Sequence, residues 1–335
     1  MPMATPSPTL VDRFGRRITY LRVSITDRCD FRCLYCMNDD TAFLPRAQIL
    51  TLEEILAVCQ AFVELGVGKI RITGGEPLVR KGALDLLADL GRLRGLRELV
   101  LTTNGSQLAK HASALKAAGV RRLNVSLDTL RAERFRRITR VGDLGQVLRG
   151  IEAALAQGFD KIKLNTVVLK HCNHDEVGDL VEYAVERGMD ISFIEEMPLG
   201  LVTGHDRAAD YYSSDEVRRD LACRFELLPT PESTGGPSRY YRVVGTATRV
   251  GFISPHSHNF CGSCNRVRLT AEGRLLLCLG NEHSMDLKRV LRAHPGDGER
   301  LKQAIEAAMA LKPERHHFDL QAHPVIFRHM NVTGG

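Results

Sequence analysis

The chain has 335 residues, a formal net charge of +6 and 44% hydrophobic residues, values expected of a soluble globular protein with one large domain and a smaller appendage. No run of eighteen or more apolar residues occurs, which excludes a transmembrane helix, and the opening MPMATPSPTL lacks the basic and apolar regions of a secretory signal. The nine cysteines are therefore expected in a reducing compartment, the cytoplasm, as metal ligands or free thiols rather than disulfides. The basic residues are spread along the chain without a long Lys/Arg run, which favours an anionic small molecule over a polynucleotide.

Residues 1–14, rich in Pro, Ser and Thr at their start, are expected as a disordered leader. Strand patterns follow at 18–26, 69–73, 97–101, 121–126, 161–169 and 190–195. Helical patterns fall between them at 52–65, 83–93, 107–118, 131–137, 143–157 and 175–187. Strict alternation predicts a parallel sheet with helices outside it, either doubly wound or an incomplete (β/α) barrel. In both cases ligands meet the C-terminal ends of the strands. Beyond about residue 213 the pattern changes. Hairpins are expected at 239–244 with 248–253 and at 266–270 with 274–277, then helices at 286–292 and 299–310, with 230–238 as a flexible loop.

Directly after the first strand, Cys29, Cys33 and Cys36 form C-x3-C-x2-C. Three thiolates on one loop suit an iron–sulfur cluster and leave one iron of a four-iron cluster open for chemistry. Zinc more often takes paired C-x2-C ligands. Cys261, Cys264 and Cys278 form a second triad, C-x2-C-x13-C. By itself it fits a cluster or a zinc ribbon equally, and His256, His258 and His283 are the nearby candidates for a fourth ligand. Cys59, Cys172 and Cys223 match no cluster pattern and read as core or surface thiols.

C-x3-C-x2-C with Tyr35 before the last cysteine resembles the signature of the radical S-adenosylmethionine superfamily, and the Gly74-Gly75-Glu76-Pro77 turn one strand later resembles its second motif. The full set of motifs resembles the GTP 3′,8-cyclases of molybdenum cofactor biosynthesis: FGR-x-I-x-YLR-x-S-x-TDRC, IRITGGEPL, LTTNG, LNVSLDTL, FIEEMPLG, FCxxCNRVRLT and the closing Gly-Gly. The resemblance implies an incomplete (β/α)6 TIM-type barrel at 15–222. It implies a smaller C-terminal α+β domain at 223–335, carrying an auxiliary iron–sulfur cluster. Two [4Fe-4S] clusters and S-adenosylmethionine are the implied cofactors. The implied reaction is removal of the ribose C3′ hydrogen of GTP by a 5′-deoxyadenosyl radical, after which the carbon radical closes on guanine C8.

The resemblance also distributes roles. Tyr35, Gly75, Ser126 and Met197 would meet S-adenosylmethionine. Arg22, Lys69, Arg71, Thr102, Lys163, Arg266 and Arg268 would meet GTP, and Arg suits a triphosphate through forked hydrogen bonds. Arg266, Arg268, Gly334 and Gly335 are the candidates for assisting turnover. Where many relatives have Arg, this chain has Ser192, and Arg207 or Arg224 would supply the missing contact. The implied partners are an electron donor such as flavodoxin or ferredoxin, cyclic pyranopterin monophosphate synthase downstream, and a second copy in a homodimer. Two other readings compete, a peptide-modifying radical enzyme and a zinc or nucleic-acid-binding protein. The absence of Trp and the 6% aromatic content speak against the last.

Overall fold

The computed structural model describes residues 9–319 and 326–334. The first part of the chain alternates strands and helices: β1 (Tyr20–Ser24), α1 (Leu52–Glu64), β2 (Lys69–Thr73), α2 (Ala83–Gly91), β3 (Glu98–Thr103), α3 (Leu108–Ala117), β4 (Val120–Ser126), α4 (Ala132–Thr139), α5 (Leu144–Ala156), β5 (Lys161–Val168), α6 (Val177–Glu186), β6 (Asp190–Glu195) and α7 (Ser214–Ala222). The six strands lie side by side in chain order, each parallel to the next. Helix α1 shows how local chemistry sets an element. Thr51 accepts the Glu54 N–H while Glu54 accepts the Thr51 N–H, a reciprocal cap. Ile55, Val58, Cys59 and Phe62 then recur on one buried face.

The strands divide their residues by period two. Leu21, Val23, Ile70, Ile72, Leu123, Val125 and Leu164 point outward and pack under the helices, against Val58, Phe62, Leu87, Leu115, Ile151 and Leu180. Each such side chain contributes roughly 1.5–3 kcal/mol by leaving water. The opposite face carries Arg22, Arg71, Asn124 and Lys163, and these line one cavity. The first and sixth strands do not pair with each other. The architecture is the incomplete (β/α)6 barrel that the sequence resemblance implied.

The remaining elements are β7 (Leu227–Pro229), β8 (Arg239–Val243), β9 (Arg249–Ile253), β10 (Arg266–Leu269), β11 (Arg274–Leu276), β12 (Ser284–Asp286), α8 (Leu287–Ala293), α9 (Gly298–Met309) and α10 (Met330–Thr333). Both expected hairpins form, β8 with β9 and β10 with β11, each antiparallel. Their placement was not legible in the sequence. Strand β9 runs parallel to β6 and β10 runs parallel to β1, so the C-terminal part extends the sheet at both open edges of the barrel. The result is one 12-stranded sheet. The expected boundary at 222/223 thus falls between α7 and strands that join the same sheet.

Two expectations need correction. The leader was placed at 1–14, yet Leu10 is buried, Val11 bridges to Arg17, and Asp12 accepts the Phe14 and Arg16 amides and pairs with the Arg16 side chain. Residues 9–14 are therefore part of the folded body, and 1–8 lie outside the described residues. The loop at 230–238 is also held in place. Lys69 Nζ donates to the Thr234 carbonyl at 2.6 Å, Asn265 to the Gly235 carbonyl at 3.3 Å, and Glu232 pairs with Arg249 at 2.6 Å.

Candidate active site

The first cysteine loop is clamped by the GGEP, LTTNG and LNVSLDTL motifs. The Gly75 amide donates to the Thr26 carbonyl at 2.7 Å and the Glu76 amide to the Arg28 carbonyl at 2.8 Å. A Cβ on Gly75 would sit 2.3 Å from the Arg28 carbonyl oxygen, and one on Gly74 2.7 Å from that of Thr26. The glycines are needed because two backbones touch here. Gly75, expected at S-adenosylmethionine, is not among the residues lining the main cavity. The buried Glu76 carboxylate accepts from the Leu78 amide (3.0 Å), the Thr103 hydroxyl (2.9 Å) and the Asn104 amide (2.7 Å). Asn104 passes the link on, donating to Asp30 at 2.7 Å and approaching Cys29 Sγ at 3.8 Å. Across the barrel, Tyr35 donates to Asp128 at 2.7 Å, and Asp128 also accepts the Val167 amide at 2.9 Å.

Burial pushes the Cys36 thiol up to about 12 and raises Cys29 and Cys33 well above the ordinary thiol range, with the charges of neighbouring thiols adding to the rise at Cys29 and Cys33. Three half-buried cysteines on one loop whose thiols resist ionisation in isolation fit a cationic iron core, which would stabilise them as thiolates.

The main cavity encloses about 1540 Å³ of empty space, counted out to its open mouth. Of the residues expected at the two small molecules, Tyr35, Ser126, Met197, Arg22, Lys69, Arg71, Thr102, Lys163, Arg266 and Arg268 all line it. Register brings the cations together: Arg22 stands beside Arg71 on β2 and beside Arg268 on β10. Arg71 donates to the Tyr20 hydroxyl at 2.5 Å and to Thr102 at 3.0 Å. Tyr20 was not anticipated. Burial alone would raise its phenol, but Arg71, Arg22 and Lys69 together lower it to about 6. Burial drops Arg22 to about 10, and burial with Arg22 and Arg266 nearby drives Arg268 well below its ordinary value. The wall is crowded with positive charge that a polyanion would relieve.

Cys261, Cys264 and Cys278 line the same cavity. None of the three histidines expected near them serves as a fourth ligand here. His256 meets the Glu196 carbonyl at 2.8 Å, His258 pairs with Asp215 at 2.9 Å, and no contact to the triad is made by His283, whose amide meets Asn281. The histidine at the triad is His316, with Nδ1 2.9 Å from Cys261 Sγ and Nε2 3.0 Å from the Pro255 carbonyl. It lies 55 positions from Cys261 in sequence, too far for spacing to reveal it. Arg16 reinforces the site by donating to the Cys261 carbonyl at 2.9 Å. Burial would raise the Cys264 thiol, but Arg266 and Lys312 more than offset it, and the thiol falls below its ordinary value.

The C-terminal helix α10 packs into the barrel mouth. Asn331 is buried and donates to the Asp27 carbonyl at 2.9 Å, and Arg268 hydrogen-bonds the Gly334 carbonyl. Gly334 has φ +74°, and a Cβ there would lie 2.4 Å from Thr73 Cγ2. Gly335 falls outside the described residues. The substitutes expected for Ser192 are engaged elsewhere. Arg207 pairs with Glu196 and donates to the Leu199 and Gly200 carbonyls, while Arg224 pairs with Asp179 and Glu182 on the surface. Around Ser192 itself the neighbours are Lys163 Nζ at 3.1 Å and the Ser238 hydroxyl at 3.0 Å, and Lys163 also reaches the Tyr240 hydroxyl at 3.2 Å.

A family profile described as Radical SAM superfamily matches residues 23–184, and one described as Molybdenum Cofactor Synthesis C matches residues 189–318. Among solved structures, that of Streptococcus suis SuiB bound to S-adenosylmethionine superposes with a TM-score of 0.64 at 15% identity, covering 92% of this chain and 79% of that one. That likeness is one of fold. Fold, cysteine loop and profiles together define a radical S-adenosylmethionine enzyme, which uses a [4Fe-4S] cluster and S-adenosylmethionine.

Curated relatives narrow this further. A GTP 3′,8-cyclase of Ectopseudomonas mendocina is 64% identical over 97% of this chain and 98% of its own length. One from Saccharophagus degradans is 59% identical over 98% and 99%, and GTP 3′,8-cyclase 2 of Pseudomonas aeruginosa is 61% identical over 97% and 98%. The chain belongs to the GTP 3′,8-cyclase family. Among the described residues no helix is long and apolar enough to cross a membrane.

Proposed function

We propose that the chain converts GTP to (8S)-3′,8-cyclo-7,8-dihydroguanosine 5′-triphosphate in molybdenum cofactor biosynthesis, in the cytoplasm. The carrying observation is that one cavity is lined at once by Tyr35 of the first cysteine loop, by the second cysteine triad, and by a basic wall between them. The loop of Cys29, Cys33 and Cys36 would hold the cluster that binds S-adenosylmethionine, with Tyr35, Gly75, Ser126 and Met197 around the latter. When bound, that pair would supply the radical chemistry that removes the C3′ hydrogen of GTP.

The chain's own residues bind and orient. Arg22, Lys69, Arg71, Lys163, Arg266 and Arg268 face the triphosphate, and Thr102 helps set Arg71. Charge-assisted hydrogen bonds in a shielded cavity are stronger than in water. Tyr20 shares the charge of three cations and keeps Arg71 aimed. The buried tail, as far as Gly334, limits water near the reacting atoms. Cys261, Cys264 and Cys278 would hold a second [4Fe-4S] cluster facing the guanine.

The division into 15–222 and 223–335 would assign radical generation and one side of the basic wall to the first part, and the second cysteine triad with Arg266 and Arg268 to the second. An external donor such as flavodoxin or ferredoxin would supply electrons, cyclic pyranopterin monophosphate synthase would take the product, and the working form would be a homodimer. The test is anaerobic turnover of reconstituted protein with S-adenosylmethionine, reductant and GTP deuterated at C3′. Deuterium in 5′-deoxyadenosine together with a cyclised nucleotide supports the reading. Deoxyadenosine without deuterium rejects C3′ as the target.

A further inference from the structure

Lys312 is 1% exposed, yet it carries a charge that the proposed chemistry does not use. It follows α9, where its amide closes a turn onto the Met309 carbonyl at 3.1 Å. Its Nζ lies 2.5 Å from the Leu277 carbonyl, 3.0 Å from the Arg266 carbonyl and 3.6 Å from Cys264 Sγ. An ammonium has three N–H donors and no acceptor, so these three contacts use its whole capacity. None of the three acceptors is a carboxylate. An ammonium held in the interior is costly without a nearby anion.

The contacts fall on the second cysteine triad. Leu277 immediately precedes Cys278, and Arg266 follows Cys264 by two positions. The side chain therefore ties β10 to the end of β11, the two segments that present Cys264 and Cys278. The residues just after it complete the enclosure. Arg16 joins the Cys261 carbonyl to the carbonyls of Pro313 (2.7 Å) and Glu314 (2.6 Å), and His316 touches Cys261 Sγ. The stretch 312–316 thus lies against Cys261, Cys264 and the residue just before Cys278.

We propose that Lys312 is a positioning residue for the second iron–sulfur cluster: it staples the Cys264 and Cys278 segments into one cradle and sets a fixed positive charge against the Cys264 sulfur. Hydrogen bonds to ligand sulfur and nearby charge are levers on cluster potential. A positive charge stabilises the reduced, more negative state and raises the potential. The inference rests on reading the second triad as a cluster site.

The test uses the full-length chain carrying C29A, C33A and C36A, so that the iron signal comes from the second triad. Lys312→Met, Lys312→Gln and Lys312→Arg are added to this parent. Iron content, an EPR-monitored redox titration and the melting temperature of the metal-free protein are read for each. The Met and Gln variants are expected to melt near the parent when metal-free, and to show a more negative midpoint or a loss of bound iron. The Arg variant is expected to retain both properties of the parent. Met and Gln variants with the parent's iron content and midpoint overturn the inference. So does failure of both to fold without metal, which assigns Lys312 to packing alone. A parent that takes up no cluster removes the second-cluster reading and this inference with it. A parent that loads normally beside unresponsive variants leaves that reading standing.

Discussion

The Tyr35 hydroxyl donates to the Asp128 carboxylate over 2.7 Å, joining the first cysteine loop to the turn after β4 across 93 positions of sequence. Asp128 is held in turn by the Val167 amide at 2.9 Å at the end of β5. The loop that carries Cys33 and Cys36 is therefore braced from the far side of the barrel. Tyr35→Phe leaves one buried carboxylate oxygen short of a donor, at a cost of about 1–3 kcal/mol. Iron bound at the first triad should then be lost faster to a chelator. Equal loss rates for variant and parent would show that the brace does not hold the loop.

Glu76 gives a pH dependence whose sign can be worked out. Burial raises its carboxyl from 4.5 to about 7, despite amide donors that pull it down. Between those values the folded protein keeps a proton that the unfolded chain has released. Stability from this group is therefore fully present below about pH 4.5 and declines as pH rises toward 7, by an amount on the order of 3 kcal/mol. Denaturant melts of metal-free protein from pH 4 to 8 should show this decline relative to Glu76→Gln, which lacks the titrating proton. Parallel profiles for the two proteins contradict the argument.

The basic wall should act mainly in binding. Arg71→Met removes a charged donor that faces the cavity and releases Tyr20 and Thr102 from their contacts. A charge-assisted hydrogen bond of about 1.5–3 kcal/mol corresponds to a rise in KM for GTP of roughly 10- to 100-fold. A change confined to kcat, with KM unmoved, would place Arg71 at the reacting atoms instead of the triphosphate.

At the tail, Gly334→Ala puts a methyl 2.4 Å from Thr73 Cγ2 at a backbone φ of +74°. Left-handed strain of about 1–2 kcal/mol adds to the clash, so turnover should fall by roughly tenfold while iron content stays at the parent level. Thr73→Ala in the same chain should restore part of the loss by opening the space. Undiminished turnover in the single variant means that the tail does not need this seat.

Much of the barrel could be read in advance because its signals are local. The strand at Lys69–Thr73 and the helix beginning at Leu52 follow from alternation and a capping pattern within a few residues. Helix α7 carries the same kind of local signal, the Ser213–Glu216 capping box. The short strands β7 and β12 had none, since three residues in edge pairing show no period. Glu195 and Glu196 illustrate the limit at the site. Their motif was visible, but one accepts the Ser214 and His256 amides and the other holds His205 and Arg207, so both work as ties within the fold.

By itself the sequence determined the two cysteine triads, the parallel alternation and the list of basic strand residues, because spacing and period are properties of neighbours along a chain. Only the tertiary structure decided that β9 and β10 pair onto the two open edges of the barrel strands, that Tyr20 sits among the arginines, and that His316 and Lys312 stand at the second triad. Those pairings join residues separated by tens to hundreds of positions. Their partners are chosen by strand register and by the packing of buried groups that need a counter-charge or a hydrogen bond, and neither leaves a local mark in the chain.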